Sequence, residues 1–499
     1  MRRKDLLLPA AGAAAASVLI LAFSWRYGIF RDELYYIACA RRLAWGYVDH
    51  PPLSIALLKL AGDGAFAIKV PGALAFGLVV FLIAREALRR GADAWETTVS
   101  IVATVLCPLL LAIAGFYSMN VLEIAWWAIA MVISARLLET ISPSLWLWLG
   151  VVIGLGALNK YSMFMFPLGL CVGMLLSAER RQFLTRWPWI AGAIAAFIFH
   201  PHVVWEIHNG WPSLEFIHNA TTFKMVAIGP IDFLKEQWMA TNPILAVVWL
   251  AGLIGLFAMP RLRPWRPHGT TFLVVVAILI ASGKSRASYL APAYTLVLPA
   301  GGIALGRIVR TRTVRATALA VLVLAGAAIV PVVLPVLPVD RLIAYQAALG
   351  STPRAEEHSR LGPLPQFMAD RFGWEEMAAA VDRAYRALPP EEQRHAYVFT
   401  RDYGEAGAVE YFSPLLRDRV LSGHNNYYLW FPQGWDGSEL LVIGATAEDL
   451  RKVFADVREV GRTGDNPYAM PYERDLPILL GRQPTQTIEQ LRAAIKHYD

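Results

Sequence analysis

Eleven stretches of mainly apolar residues, each near bilayer-spanning length, fill residues 6–338 of this 499-residue chain and constrain it more than any other feature. About 20 residues of helix cross a hydrocarbon core of ~30 Å. Inside that core no water is available to backbone N–H or C=O groups, so each run must satisfy its own hydrogen bonds as a helix. The runs lie near 6–24, 67–84, 98–116, 120–138, 145–158, 161–177, 187–201, 241–259, 270–283, 288–306 and 316–338. With 56% hydrophobic and 17% charged residues, the chain does not fit a water-soluble enzyme of this size. The net charge of +7 sits in short clusters between runs, which reads as topology and not as a nucleic-acid surface. The three cysteines, Cys39, Cys107 and Cys171, encode no disulfide framework.

If the N-terminus is cytoplasmic, alternate connections carry Arg85 with Arg89 and Arg90, Arg136, Arg180 with Arg181 and Arg186, Arg261 with Arg263 and Arg266, and Arg307 through Arg315. Every cluster then falls inside, and a skipped span would invert all the loops after it. The outer side receives residues 25–66, 202–240 and everything after about 339. The expected organisation is a membrane domain over 1–339 and a small α/β domain over 340–499. In that outer domain Ala396–Thr400 and Glu439–Ile443 read as strands, and Trp374–Leu388, Glu448–Val457 and Ile488–His497 as helices. Thr446 with Asp449, and Thr487 with Gln490, have capping-box spacing.

The densest chemistry lies in the first outer loop. Arg31-Asp32-Glu33-Leu34-Tyr35-Tyr36 follows the first span directly, and Asp49-His50-Pro51-Pro52-Leu53 closes the same loop. A carboxylate at mid-bilayer costs about 2.5–3.5 kcal/mol, whereas at the interface water keeps it ionised and able to act as a base. The same residues also suit an acidic first turn of a surface helix and a rigid proline corner. Basic residues recur on the outer side at Lys160, in Asn159-Lys160-Tyr161, and at Lys284 and Arg286, in Ser282-Gly283-Lys284-Ser285-Arg286-Ala287-Ser288-Tyr289. They run against the positive-inside pattern and suit a lipid phosphate, with headgroup snorkelling as the alternative. Segment 200–219 holds four histidines and Glu206, but the spacing matches no standard zinc site. Loops 401–406 and 422–430 pair aromatic with polar side chains, as carbohydrate contacts or as packing against the membrane domain.

The pair RDELYY and DHPPL, at this spacing after a first span, resembles the membrane-embedded GT-C glycosyltransferases, in the bacterial branch near protein O-mannosyltransferases and the aminoarabinose transferases of lipid A (glycosyltransferase family 39 type). The resemblance implies a polytopic α-helical fold with amphipathic helices in the first outer loop. It also implies an enzyme of the bacterial inner membrane, N-terminus inside, that moves a sugar from a polyprenyl-phosphate donor to a protein, lipid or glycan acceptor outside. In this reading Asp32 is the base of an inverting displacement, with Glu33 and His50 orienting it or the sugar. Lys160, Lys284 and Arg286 hold the phosphate, and Arg31, Asp49, Asn120, Glu123, Tyr289, His424 and Asn425 line the substrates. Where relatives often carry a second acid this chain has Asn120, with Glu123 three residues on. Partners are therefore the lipid-linked donor, the acceptor and membrane lipids, with no nucleic acid. No cofactor is demanded, and a divalent cation stays open. The alternative is a flippase for lipid-linked sugars, which should instead place ionisable residues at mid-membrane.

Overall fold

The computed structural model describes residues 3–350, 360–432 and 434–499. The membrane domain is helical throughout, and every apolar run of the sequence lands on a helix. Among the described residues seven helices are long and apolar enough to cross a membrane, and up to ten spans result if each of three bent pairs counts as one. The count of eleven is not reached because Pro143–Asn159, at 17 residues, falls short of a full span. The bends fall where the chain breaks its own ladder, as at Cys107-Pro108, where Ala94–Val105 and Pro108–Ala114 meet at 57°. Helices pack closely through small residues. A Cβ added to Gly301 would lie 2.4 Å from the carbonyl oxygen of Val248, so helices Pro243–Ala258 and Tyr294–Ile308 touch backbone to backbone there.

The first outer loop forms two helices, Arg31–Arg41 and Leu53–Ala61, as the sequence predicts. The second outer segment differs from expectation: helix Trp187–His208 continues past Pro201 instead of ending near residue 201. Beyond it come Pro212–Asn219, a π-helical turn over Ala220–Lys224, and Pro230–Ala240, which meets Pro243–Ala258 at 111°.

The outer domain carries a five-stranded sheet: β1 (Tyr397–Thr400), β2 (Val420–Ser422), β3 (Glu439–Ile443), β4 (Phe454–Arg462) and β5 (Pro477–Pro484). The order is β2-β1-β3-β5-β4, with β1 parallel to β2 and β3, and β5 antiparallel to β3 and β4. Helices Trp374–Arg386, Tyr403–Phe412 and Ile488–Ile495 flank it, and the Thr487–Gln490 capping box is present. The expected helix Glu448–Val457 is instead a four-residue turn, Ala447–Leu450, followed by β4. An edge strand with charged residues on much of its length has the composition of an amphipathic helix, so only pairing with β5 tells them apart.

The outer domain is not tethered loosely. Helix Tyr403–Phe412 lies on helix Arg31–Arg41, and a Cβ on Gly407 would sit 2.9 Å from the backbone carbon of Leu34. Arg42 grips buried Glu410 through two bonds of 3.0 and 2.7 Å, and its guanidinium lies over the Trp430 ring at 4.8 Å. Arg371 donates to the carbonyls of Ser24 (2.8 Å) and Gly115 (2.9 Å), joining the outer domain to two spans.

Candidate active site

Helix Arg31–Arg41 begins with its two acids in the first turn, where the helix dipole favours them. Consecutive helical residues point about 100° apart, so Asp32 and Glu33 face different surroundings. Glu33 faces inward and is fully buried. It accepts the backbone N–H of Phe30 (2.9 Å) and of Tyr117 (2.7 Å) and pairs with the buried ammonium of Lys69. That set of donors makes Glu33 a clamp between the outer loop and two spans. Asp32 is the more open carboxylate, its side chain 34% exposed. Its Oδ1 accepts the Tyr403 hydroxyl at 2.9 Å and lies 3.7 Å from Arg31 Nε. Arg31 itself is held by Asp370 at 3.7 Å and the Tyr472 hydroxyl at 3.3 Å.

The proline corner brings Asp49 and His50 against the same helix. Asp49 Oδ1 accepts the Tyr35 hydroxyl at 3.0 Å and lies 3.8 Å from His50 Nε2. Burial pushes the Asp49 carboxyl above the usual carboxylate range, against the pull of His50 and the Tyr35 hydrogen bond. His50 is fully buried between the rings of Tyr36 (centroids 4.7 Å) and Tyr47 (5.0 Å). From the outer domain, Asn426 Oδ1 accepts both the Val48 N–H (2.7 Å) and the Tyr35 hydroxyl (3.2 Å). Tyr35 is thus shared by the loop acid and the outer domain.

A second cluster forms at the ends of the spans nearest the first loop. Lys160 donates to Asn120 (2.7 Å) and Glu123 (2.9 Å), and its ammonium lies 5.4 Å from the Tyr289 ring centroid. Asn120 and Glu123, Lys160, and Tyr289, read from three separate stretches, therefore share one site, and Glu123 neutralises Lys160. The Tyr36 hydroxyl, 3.5 Å from the Met119 N–H, joins this cluster to the first loop. Lys284 donates to the Thr221 carbonyl, so that ammonium is anchored to the second outer segment, and Arg286 precedes the turn Ala287–Ala293 that carries Tyr289. The second-segment residues His202 and Glu206 are buried and satisfied: His202 meets the Trp45 carbonyl (2.9 Å) and the Tyr161 hydroxyl (2.7 Å), and Glu206 accepts from Ser213 (2.6 Å).

His424 and Asn425 stand one layer away from Asp32. The His424 ring lies tilted against the Tyr403 ring, centroids 4.7 Å apart, and bonds the Asp499 backbone oxygen at 3.0 Å, and Asn425 is buried with a backbone bond to His497. Burial, then the neighbouring His497, pushes His424 down to about 4. Among the described residues two groups offer ligand atoms within 4.8 Å of one another, His424 with His497 and Asp499, and Asp402 with Glu405 and Glu473. In the second, Arg401 bonds Glu405 at 2.9 Å and reaches Glu473 at 3.3 Å, so cationic neutralisation is already present. Tyr35, Tyr403, Asn426 and Lys69 are the contributors that reading residue types missed as site members. Tyr35 stands inside the quoted motif, and Tyr403 and Asn426 lie in the loops noted for aromatic and polar pairing.

A helical membrane domain capped by a small α/β domain is a fold this chain shares with solved membrane proteins. A family model described as dolichyl-phosphate-mannose-protein mannosyltransferase matches residues 49–205. The lipid A galacturonosyltransferase RgtD of Rhizobium johnstonii is 25% identical over 234 residues, 44% of this chain and 48% of that protein. The matched region thus spans about half the length of this curated relative. Among solved structures, ArnT of Cupriavidus metallidurans bound to undecaprenyl phosphate superposes with a TM-score of 0.60 at 14% identity, covering 94% of this chain and 97% of that one. The archaeal oligosaccharyltransferase AglB of Archaeoglobus fulgidus, in complex with an inhibitory peptide and a dolichol-phosphate, gives 0.51 at 11% identity over 88% of this chain and 69% of that one.

Proposed function

We propose that this multi-pass membrane protein is a glycosyltransferase of the bacterial inner membrane, taking a sugar from a polyprenyl-phosphate carrier and passing it to an acceptor on the outer side. The observation that carries the reading is the division of labour between the two adjacent acids: Glu33 is buried and triply bonded, while Asp32 is open and bonded through one oxygen. A long isoprenoid stays in the bilayer, so the reaction has to occur at headgroup level, where Asp32 stands after the first span. The acceptor oxygen attacks the anomeric carbon as the carbon–oxygen bond to phosphate breaks. The electron pair leaves with the phosphate, the acceptor proton passes to Asp32, and the sugar inverts. Phosphate is a good leaving group and needs neutralisation more than protonation, a task that suits Lys284 and Arg286, with Lys160 available only if the phosphate displaces Glu123 from it.

The test is release of free polyprenyl phosphate by purified protein in detergent, given a panel of polyprenyl-phosphate sugars and an envelope extract. Wild type is expected to release it and Asp32→Asn to bind donor without release. A fully active Asp32→Asn removes Asp32 as base, and lipid binding without release from any donor favours a flippase, whose activity needs a sealed vesicle.

A further inference from the structure

Among the described residues, the outer domain hydrogen-bonds the Asp32 carboxylate through the Tyr403 side chain. Tyr403 is the first residue of helix Tyr403–Phe412, which is fixed at its start by Asp402 accepting the N–H groups of Gly404 (2.6 Å) and Glu405 (2.9 Å). Its ring is held on three sides, by Tyr35 (centroids 4.7 Å), His424 (4.7 Å) and the Arg31 guanidinium (5.4 Å). The helix itself cannot slide, because Gly407 lies against the backbone of Leu34 and Tyr35. Burial pushes the phenol well above its ordinary range, so the group stays a donor. Its hydrogen bond falls on Asp32 Oδ1, the same oxygen that Arg31 approaches.

We propose that Tyr403 is a positioning residue of the transfer reaction: by holding Asp32 Oδ1 it fixes the carboxylate and leaves Oδ2 to take the acceptor proton, so the outer domain completes the active site of the membrane domain. The inference rests on Asp32 acting as the base. Packing alone asks only for the ring, which sits among Tyr35, His424 and Arg31; the hydroxyl adds nothing to those contacts and is directed to the half-open carboxylate of Asp32. A base that wanders by an ångström loses much of the advantage of a near-attack geometry, and a hydrogen bond to one carboxylate oxygen removes that freedom.

The experiment compares Tyr403→Phe, Asp32→Asn and wild type as full-length protein in detergent, following polyprenyl-phosphate release and thermal unfolding. Tyr403→Phe keeps every ring contact and is expected to lower kcat by about tenfold or more, with KM for the lipid donor and the melting temperature unchanged. Wild-type kcat in Tyr403→Phe beside an inactive Asp32→Asn removes Tyr403 alone. A loss of kcat accompanied by a lower melting temperature, or by a raised KM, assigns Tyr403 to packing and overturns the proposal. Wild-type release from Asp32→Asn removes the base, and the positioning role with it.

Discussion

Replacing Lys69 by Met isolates the clamp beneath the first outer loop. The Lys69 and Glu33 side chains are each 1% exposed, and Lys69 is the ion-pair partner of Glu33, with buried Arg371 adding a longer-range attraction. Removing one partner of a buried pair leaves the other charge in a low dielectric and costs about 3–5 kcal/mol. Glu33 keeps the N–H groups of Phe30 and Tyr117, and each such bond to a charged group is worth about 1.5–3 kcal/mol, so the lower end applies. The expected loss in Lys69→Met is therefore about 3 kcal/mol. Adding Glu33→Gln removes the stranded charge and lets the amide oxygen keep one backbone bond while the other N–H is left facing the amide nitrogen, so the double variant should be more stable than the single but stay about 1–2 kcal/mol below wild type. Tryptophan fluorescence during chemical unfolding in micelles reads all four corners of the cycle. A Lys69→Met loss below about 1 kcal/mol, or a double variant no better than the single, would refute the clamp. Activity supplies a second check, since a clamping Glu33 predicts that the stabilised double variant regains polyprenyl-phosphate release.

Two further outcomes follow from the docking of the outer domain. In Gly407→Ala the new methyl meets Leu34 backbone at 2.9 Å and Tyr35 N at 3.1 Å, atoms that cannot rotate away, so a destabilisation of about 1–3 kcal/mol and faster proteolytic release of the outer domain are expected; wild-type proteolysis contradicts the packing. His424 is faced by Tyr403 and Asp402 on one side, His497 and Asp499 on the other, with Lys224 adding positive charge. Its folded value lies below the ordinary 6.5, so its contribution is present above pH 6.5 and is lost as pH falls toward about 4. Melting temperatures measured at pH 7 and pH 4.5 should diverge less in His424→Gln than in wild type, and an equal divergence rules His424 out as the group responsible.

The fate of the two acids shows how far residue order could reach. Their adjacency after a span marked them as candidates, and the helices of the first loop followed from the family resemblance. The opposite environments of Asp32 and Glu33 were not, because burial depends on Lys69 and Tyr117, 36 and 84 residues away. Asn120 and Glu123 could be placed on one helix turn, yet their meeting with Lys160 and Tyr289 needed two further segments to pack against that helix. Strand β4 was misread because exposed, charged residues satisfy either period until a partner strand claims their backbone.

By itself the sequence determined the solvent. Apolar runs of bilayer length, with arginine clusters between them, leave a helical membrane protein as the arrangement that hides backbone polarity. Only tertiary structure decided which acid is open. That choice rests on donors supplied by distant segments, and hydrogen bonds and desolvation act through distance in space, which the order of residues along a chain does not record.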